Sequence, residues 1–520
     1  MTRNPTTLAQ RAAAWARGVV PFMRSARPAG TAQVRRFAAA RIDRHTADWL
    51  DTQNSINQEL RTDLAKLRSR GRDLVNNNDY ARKFAGMCAD NIIGPAGIRL
   101  QARVFDPPTK PGQAPIADEL ANAAIESAWL EWCAVADYNR RQTLRDLCAT
   151  ACAGLPADGE FLWRIVRGKA AGNRFGLAIQ AIDVDRIDTM HNQQLPGGAA
   201  VVMGVEIDAF GTPQALHIFA AHPNDGERSS RQRMRVPVAD LIHAFKVDRA
   251  GQVRGIPWMA PGMLSLHHLG SFMLAAILAA ENGANHYGFF TTPDGVAPLG
   301  AADATTGEQI TTSQPGTYDT LPAGVTFQAH ESKYPSETFG PFVKTALQRV
   351  ATGWRVSYHS LANDLEGVSF SSIRSGTLEE RDRWAADQEW FITVALERVF
   401  TEWLQAALLL GAITMPNGSP LPAAKYAKFV QHEWQPRRWD WVDPKSDMEA
   451  KILAIRAGLM APQDVAASMG YDFADNIAAI AAANKSAEAA GVQLTAYAAT
   501  PGAVPHTTQP PATPPAKAAA

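Results

Sequence analysis

Residues 364–377 read DLEGVSFSSIRSGT, and they separate two strong helical patterns. ETFGPFVKTALQRVATGWRVSYHSLA, which precedes them, predicts one helix, and LEERDRWAADQEWFITVALERVFTEWLQAALLLG, which follows them, predicts a longer one. A tight hairpin of two helices needs a loop of only about 2–8 residues. A longer loop of small polar residues and glycines between rigid helices is typical of a segment that contacts something else.

The composition predicts a soluble globular protein with a weak overall electric field. The 520 residues are 46% apolar and 20% charged, which suits a chain of roughly two to four domains that can bury a real core. The chain carries 51 basic and 51 acidic residues. Because the formal charge is zero, the overall electrostatics predict no strong hold on nucleic acid or on an anionic membrane. Any contact with DNA is expected to be local or weak.

Two segments bear on targeting. The most apolar window, MLSLHHLGSFMLAAILAAENGA, is interrupted by His267, His268 and Glu281, and it falls short of the run of about 20 clean apolar residues that spans a membrane, so we expect no transmembrane segment. Residues 1–40 are rich in arginine and contain no acid. Their composition resembles an organellar transit peptide. They lack the long apolar core that secretion needs, so they predict a basic, partly disordered arm.

The first half of the chain predicts helices followed by a β-rich block. Apolar residues recur at helical spacing over 41–90 and 115–153, and NNND at 76–79 predicts a turn and a helix N-cap. IRLQARVF at 98–105 alternates like a strand. Short alternating runs split by Gly, Pro, Asn and Asp predict a compact mixed region over 155–250.

The second half predicts long helices around a weakly patterned insert. A helix is expected over 259–286, and residues 291–335 show only one short β-like piece, at 324–330. An insert of this length predicts a small subdomain or a segment ordered by a partner. Residues 433–473 predict a Trp-rich extended piece followed by helices. From about 484 the chain is rich in Ala, Pro, Thr and Gly, which predicts a flexible tail.

The motifs of several enzyme classes are missing from the sequence. There is no G-x-x-x-x-G-K-[ST], no H-E-x-x-H and no G-x-S-x-G, so a P-loop motor is excluded and a zincin or a serine hydrolase elbow is not indicated. The adjacent His267 and His268 point about 100° apart on a helix and cannot share one metal by themselves. The cysteines form no C-x-x-C pair and predict buried, reduced thiols made in a cytosol; they are Cys88, Cys133, Cys148 and Cys152.

Two patterns leave an alternative open. Asp183 and Asp185 in AIDVDRID fall on the same face of a predicted strand, which is the geometry that a metal ion in a nuclease needs. The adjacent Arg186 offers them an ordinary structural role instead. Several tryptophans could stack on nucleic-acid bases, but their helical spacing favours core or subunit packing; they are Trp384, Trp390 and Trp403.

An ordered set of segments over about 40–475 carries a family resemblance. It comprises RDLVNNNDYARKFAGMCADNIIGPAGIRLQ, ADGEFLWRIV, IQAIDVDRID, GVEIDAFGTPQALHIF, HPND, RVPVADLIHAFKVDRAGQVRGIPWMAP, SYHSLANDLEGVSFSSIRSGTLEERDRW and QPRRWDWVDPKSDMEA. With its R-G-I-P-W segment and its S-F-S-S-I-R loop, the chain resembles the portal proteins of tailed double-stranded DNA phages, in particular the lambda-like branch. The arginine-rich start and the Pro/Ala tail fall outside the resemblance.

The resemblance implies an α+β, mainly helical portal fold that assembles into a ring with a central channel. The ring is twelve-fold in the family's mature particles, and each subunit is divided into a wing, a stem, a clip and a crown. It assigns 1–40 to the basic arm, 41–258 to the wing, 259–290 to the first stem helix, 291–335 to the clip, 336–362 to the second stem helix, 363–376 to the tunnel loop, 377–444 to the long helix and a return wing segment, 445–483 to the crown helices, and 484–520 to the disordered tail.

The resemblance also assigns candidate site residues, although a solvent-exposed loop without contacts is the alternative. A channel lined heavily with Lys and Arg would stall a moving duplex, since every such contact adds affinity. The nearly neutral tunnel loop is expected to make weak, sequence-independent contacts with DNA through Asn363, Asp364, Glu366, Ser369, Ser371, Ser372 and Arg374. Weaker candidates for lining the stem channel are Lys344, Arg349 and Arg355.

The implied function is that of a non-enzymatic conduit for double-stranded DNA at one capsid vertex, during packaging and ejection. The expected partners are further copies of the chain (a dodecamer), DNA, the large terminase subunit, the head–tail connector or adaptor, and the major capsid and scaffold proteins. No catalytic residue, metal, cofactor or membrane is expected, and the location is the virion, after assembly in the host bacterial cytoplasm. The alternatives are a metal-dependent nucleic-acid-processing enzyme that uses Asp183 and Asp185, and a capsid structural protein without a DNA channel.

Overall fold

The computed structural model describes residues 53–107, 116–284, 288–291, 324, 326–329, 338–366, 370–439, 444–469 and 473–491. The chain divides into two compact units, residues 1–54 and 55–520, and every element below belongs to the second. The predicted basic arm, most of the insert 291–335 and the tail beyond 491 lie outside the described residues.

Four helices form the first part of this unit, and side chains fix where they begin. They are α1 (Ile56–Asn77), α2 (Asp79–Ile92), α3 (Glu119–Ala134) and α4 (Leu144–Asp158). Asn78 accepts hydrogen bonds from the backbone N–H groups of Tyr80 and Ala81, which confirms the N-cap predicted within NNND. Thr143 and Asp146 form a reciprocal capping box at the start of α4.

The predicted β-rich block is confirmed as two antiparallel sheets. The strands that precede and form it are β1 (Arg99–Ala102), β2 (Phe105–Asp106), β3 (Ile116–Ala117), β4 (Glu160–Arg167), β5 (Leu177–Ile182), β6 (Gln193–Gln194), β7 (Ala200–Val202), β8 (Val205–Ile207), β9 (Pro213–Phe219), β10 (Arg233–Pro237) and β11 (Leu241–Phe245). One sheet has the order β11-β4-β5 and the other β10-β9-β8-β7-β6, while β2 pairs with β3. The predicted strand at 98–105 is β1, broken before β2.

The second half consists of long helices, a short hairpin and small terminal helices. The elements are α5 (Met263–Ala284), β12 (Gly288–Thr291), β13 (Thr326–Ala329), α6 (Phe339–Gly353), α7 (Tyr358–Ala362), α8 (Phe370–Phe391), a π-helical turn (Ile392–Leu396), α9 (Glu397–Leu409), α10 (Tyr426–Phe429), β14 (His432–Gln435), α11 (Pro444–Arg456), α12 (Pro462–Ser468) and α13 (Phe473–Ala489). Strand β13 confirms the β-like piece predicted at 324–330, and it pairs with β12 across the insert. Strand β14 pairs antiparallel with β1, so a late segment of the chain packs beside its first strand.

Two predicted boundaries are wrong. The loop expected over 363–376 ends earlier, because α8 already begins at Phe370. Serine costs a helix little, and one glycine costs about 1 kcal/mol relative to alanine, so Gly376 does not stop a helix that is continued by strong helix formers. The tail expected from 484 begins later, because α13 runs to Ala489.

The core is built around aromatic side chains. Trp132, Trp163, Trp354, Trp384 and Trp403 are all less than 2% exposed, and the rings of Trp129 and Trp403 meet edge-on with centroids 5.0 Å apart. Because Trp384 and Trp403 are buried and Trp390 packs partly buried against the same core, the prediction that these residues pack rather than stack on bases is confirmed. All four cysteines are free thiols, and burial raises the pKa of each, that of Cys133 to about 12.

Helix α5 combines a buried face with an exposed apolar face. Leu266 and Leu269 are buried, and Phe272 stacks on Phe339 of α6 with centroids 5.6 Å apart. Four apolar side chains of the same helix are exposed: Leu264, Leu274, Ile277 and Leu278. The segment Met263–Glu281 is long and apolar enough to cross a membrane by length and composition alone, and 22% of it is buried. His267, His268 and Glu281, on which the expectation of no transmembrane segment rests, lie within this segment.

Candidate nucleic-acid interface

The predicted tunnel loop starts from a short capped helix. Ser357 caps α7 by accepting a hydrogen bond from the backbone N–H of Ser360. Asn363 ends α7 in the left-handed conformation, with φ of 55°, which asparagine tolerates better than most residues. We call residues 363–366 the loop root. Residues 367–369 lie outside the described part of the chain, and α8 follows them.

Asp364 faces the protein rather than solvent. Its Oδ2 accepts hydrogen bonds from Lys344 Nζ at 3.0 Å and from the Tyr358 hydroxyl at 2.8 Å, and its Oδ1 accepts from the backbone N–H of Glu366 at 3.0 Å. These three donors, with Lys344 first, hold the pKa of Asp364 at about 2. Partial burial and the hydrogen bond to this carboxylate raise the pKa of Tyr358 to about 12.

The loop root has two further contacts. The ring Nδ1–H of His359 donates to the backbone carbonyl of Asp364 at 2.6 Å, because a carbonyl oxygen can only accept. Lys83 of α2 donates to the side-chain oxygen of Asn363. Glu366, by contrast, is exposed.

The remaining predicted site residues do not lie together in one loop. Ser369 lies outside the described residues, and Ser371, Ser372 and Arg374 lie on the first turns of α8 instead of in a loop. Arg349 is exposed on α6. Arg355 is exposed between α6 and α7, has φ of 57°, and accepts a hydrogen bond from Arg383 on its backbone carbonyl at 3.0 Å. The structure therefore brings together Asn363, Asp364, Glu366 and Lys344.

Asp183 and Asp185, the residues of the alternative function as a metal-dependent enzyme, do not have the predicted strand geometry. Strand β5 ends at Ile182, so Asp183 caps a short 3-10 helix, Val184–Arg186, that contains Asp185. The ligand atoms of both carboxylates and of His222 lie within 4.8 Å of one another. However, Arg72 donates to Asp185 at 2.6 Å and to Asp183 at 3.1 Å, so both carboxylates already have a guanidinium partner.

A buried charge cluster was missed by sequence reasoning. Glu160 accepts hydrogen bonds from Arg254 at 2.7 and 2.9 Å, from Arg68 at 2.5 Å and from the backbone N–H of Gly255 at 2.6 Å. His243 Nε2 lies 3.1 Å from its other oxygen. Burial alone would raise the pKa of Glu160, but the facing Arg254 and Arg68 outweigh it and hold that pKa well below its usual range.

The cluster joins two of the segments that carry the family resemblance. Glu160 lies in ADGEFLWRIV and Arg254 in the segment that contains R-G-I-P-W. Gly159 has φ of 77°, and a Cβ there would lie 2.2 Å from the backbone carbon of Ile256. A Cβ on Gly255 would lie 2.2 Å from the carbonyl oxygen of Gly159. Both glycines therefore permit a backbone approach that no other residue allows.

A second network connects this junction to helix α8. Lys246 pairs with Asp387, whose side chain is 3% exposed, and its ammonium lies 4.5 Å from the ring centroid of Trp258 and 5.6 Å from that of Trp390. Such cation–π contacts contribute about 0.5–2 kcal/mol, less the more the ammonium is exposed, and the Lys246 side chain is 28% exposed. Helix α8, which follows the loop root, is thus fixed to the segment that leads into α5.

Comparison with known proteins agrees with the resemblance. The model of a family described as phage portal protein, lambda family, matches residues 43–388. The chain is 34% identical over 448 residues to a probable portal protein of Halomonas phage phiHAP-1, covering 84% of each chain. It is 21% identical over 494 residues to portal protein B of Escherichia phage lambda, covering 87% of this chain and 89% of that one.

Among solved structures, the chain is similar to a protein in the neck of an empty gene transfer agent particle. That likeness has a TM-score of 0.41 at 14% identity, over 79% of this chain and 93% of the other. The family match covers more than half of the chain, and the relative from phage phiHAP-1 exceeds 30% identity over most of both sequences. The chain therefore belongs to the lambda family of phage portal proteins.

Proposed function

We propose that copies of this chain form a ring at one vertex of the capsid and that double-stranded DNA passes through the ring during packaging and ejection. The ring would be the docking site for the large terminase subunit and for the head–tail connector, and the protein would act in the virion without catalysing a reaction. Membership of the lambda portal family is the observation that carries this proposal.

Two structural features support it. The loop root contains Asp364 and Glu366, and Asp364 is neutralised by Lys344, so the segment offers a passing duplex few cations to bind. The exposed apolar face of α5 suits coverage by a second copy, because monomeric soluble proteins rarely leave such a face open to water.

The first experiment measures assembly. Light scattering on the purified full-length chain should give the mass of a closed oligomer, and images along the symmetry axis should show a central opening. A strictly monomeric protein under all salt and protein concentrations would contradict the proposal.

The second experiment tests whether the loop meets DNA. Replacing residues 365–369 by Gly and Ser at equal length should leave rings intact but reduce the packaging of DNA into capsids. The matched control replaces the exposed turn 208–211, which contains the 95% exposed Phe210. Full packaging by the loop variant would favour a structural protein without a DNA channel.

The acidic cluster gives no support to the nuclease alternative. A chain with Asp183→Ala should cleave DNA in the presence of magnesium no differently from the unchanged chain, since neither is expected to have activity. Magnesium-dependent cleavage that is lost in the variant would overturn the non-enzymatic assignment.

A further inference from the structure

We infer that Asp364 is a positioning residue that holds the loop root against helix α6 and neutralises Lys344. This lysine then does not bind the phosphates of a passing duplex. The inference rests on the proposed function, since it names how the candidate DNA segment is held. We call the contact between Asp364, Lys344 and Tyr358 the root latch.

The contacts of the loop root come from three separate elements. Lys344 belongs to α6, Tyr358 and His359 belong to α7, and Lys83 belongs to α2. Both carboxylate oxygens of Asp364 are engaged by donors of the protein itself. A carboxylate held by a charged donor and a hydroxyl makes stronger hydrogen bonds than a neutral acceptor would. These contacts together give the loop root one preferred geometry.

The charges explain why the latch matters for DNA. Lys344 keeps 42% of its side chain exposed while it pairs with Asp364, so a phosphate could reach this ammonium if the carboxylate were absent. Each lysine that pairs with a phosphate releases counterions and adds sequence-independent affinity. Asp364 competes for the same ammonium, and Glu366 adds an exposed negative charge beside it. Lys83, which donates to Asn363, balances the charge of Glu366, so the loop root with its latch presents a nearly neutral surface.

This arrangement gives Asp364 a role different from the one expected from the sequence. As a loop residue in a channel, it was assigned to direct contact with DNA. In the structure its oxygens point at Lys344, Tyr358 and the backbone of Glu366. Asp364 accordingly acts through Lys344 and through the shape of the loop root.

The test uses full-length rings and four variants: Asp364→Asn, Lys344→Gln, the double variant of the two, and Asp106→Asn. The last one removes one of the two carboxylates, Asp106 and Asp118, that each lie 2.6 Å from Lys428, so it changes the charge of the ring without leaving a lysine unpaired. The probe is a short fluorescent DNA duplex of mixed sequence, titrated at several salt concentrations.

Asp364→Asn should bind the duplex several-fold more tightly than the unchanged ring, and the slope of log affinity against log salt should steepen by about 1 for each freed Lys344 that meets a phosphate. The double variant should return to weak binding, because it has no ammonium to offer. Asp106→Asn should behave like the unchanged ring. Equal binding by Asp364→Asn and the unchanged ring would overturn the neutralising role.

Further measurements distinguish the loss of the root latch from a general loss of structure, and a failure of this inference from a failure of the proposed function. Hydrogen exchange over residues 358–366 should rise in Asp364→Asn, while ring mass and the midpoint of thermal unfolding stay within the range of the control. Tyr358→Phe, which removes one donor only, should show a smaller rise. Unchanged hydrogen exchange in Asp364→Asn would contradict the positioning role of Asp364. Raised exchange in rings that never pass DNA would support that role but contradict the proposed function as a DNA conduit.

Discussion

At the scale of single residues, Glu160 has the largest predicted effect on stability. It is fully buried and faces two guanidinium groups, Arg254 with a side chain 0% exposed and Arg68 with one 2% exposed. Removing one member of a buried ion network leaves the other charges without a counterion, which costs about 3–5 kcal/mol. Glu160→Gln should therefore lower the free energy of unfolding by about 3–5 kcal/mol, measured by urea denaturation at neutral pH.

The matched control is Glu433→Gln. Glu433 also pairs with an arginine, Arg103 at 3.1 Å, but its side chain is 64% exposed. An exposed pair of this kind contributes about 0–1 kcal/mol. Similar losses in the two variants would show that burial is not what makes the Glu160 cluster important.

The same residue gives a prediction about pH. Because the cations of Arg254 and Arg68 lower the pKa of Glu160 in the folded chain, its stabilising contribution is fully present above the unfolded glutamate pKa of about 4.3. That contribution decreases as the pH falls below this value towards the lower folded pKa. The stability difference between the unchanged chain and Glu160→Gln should thus be constant from about pH 5 upward and shrink below about pH 4. A difference that grows on acidification would contradict the assigned sign.

Residue-scale sequence reasoning succeeded where the signal was local and failed where it was not. The Asn78 cap needs only its immediate neighbours, and it was predicted. Glu160 and Arg254 are 94 positions apart, and their pairing depends on two glycines that let separate backbone segments touch. The Asp183–Asp185 face was misplaced because strand alternation was extended to residue 185, whereas β5 ends at Ile182 and a 3-10 helix follows.

At the scale of elements, the π-helical turn inside the long helix has a packing function. The turn Ile392–Leu396 separates Phe391, which packs against Trp163, from Trp403, which packs against Trp129. A π-helical turn contains one extra residue, which rotates all later side chains by about 100° relative to a regular helix. The extra residue thus lets both halves direct their aromatic side chains into the core.

Deleting Thr393, the exposed residue of this turn, should restore a regular helix. The aromatic side chains on one side of the deletion would then point away from the core. The expected loss is about 3 kcal/mol or more, comparable to removing a large buried side chain, and it is measured as a lower midpoint of thermal unfolding. Thr393→Ala keeps the residue count and should change stability by less than about 0.5 kcal/mol. If the two variants unfolded at the same temperature, the π-helical turn would have no role in the packing.

Sequence periodicity predicted helices on both sides of residue 364, but the single helix expected over 336–362 is wrong, because the chain breaks at Arg355, with φ of 57°, between α6 and the five-residue α7. The pattern of 378–411 looked like one uninterrupted helix, because the apolar residues on each side of the π-helical turn keep helical spacing among themselves. The serine- and glycine-containing segment 370–376 looked like a loop, although its weak local preferences are outweighed by the helix that continues from it. The candidate DNA segment stays a prediction from the sequence, and the contacts of the root latch were not predicted.

At the scale of the whole molecule, the order of regions was predicted well because each begins at a change in sequence pattern. Helices precede the β-rich block, and the hairpin β12–β13 separates α5 from α6. What the sequence could not show is which apolar surface the folded subunit leaves uncovered. In the described part of the chain, the exposed apolar face of α5 is one such surface, and it accounts for the hydropathy that gives this helix the composition of a membrane span.

This face leads to a prediction about assembly. Leu274, Ile277 and Leu278 are spaced so that they lie together on one side of α5, and they are 59%, 60% and 49% exposed. If further copies of the chain cover this face in the proposed ring, charges placed there must be desolvated at the interface. The double variant Leu274→Glu, Ile277→Glu should therefore fold with an unchanged circular dichroism spectrum but fail to form the closed oligomer detected by light scattering.

The matched control for assembly is Phe210→Glu, because Phe210 is an equally apolar residue that is 95% exposed in a turn of the five-stranded sheet region. It should assemble like the unchanged chain. A third measurement uses lipid vesicles, since a membrane is the other environment that could cover this face. Oligomers that survive both glutamates, together with vesicle binding that the glutamates abolish, would mean that α5 meets lipid instead of its neighbours, and the stem of the proposed ring would then have to be built from another surface.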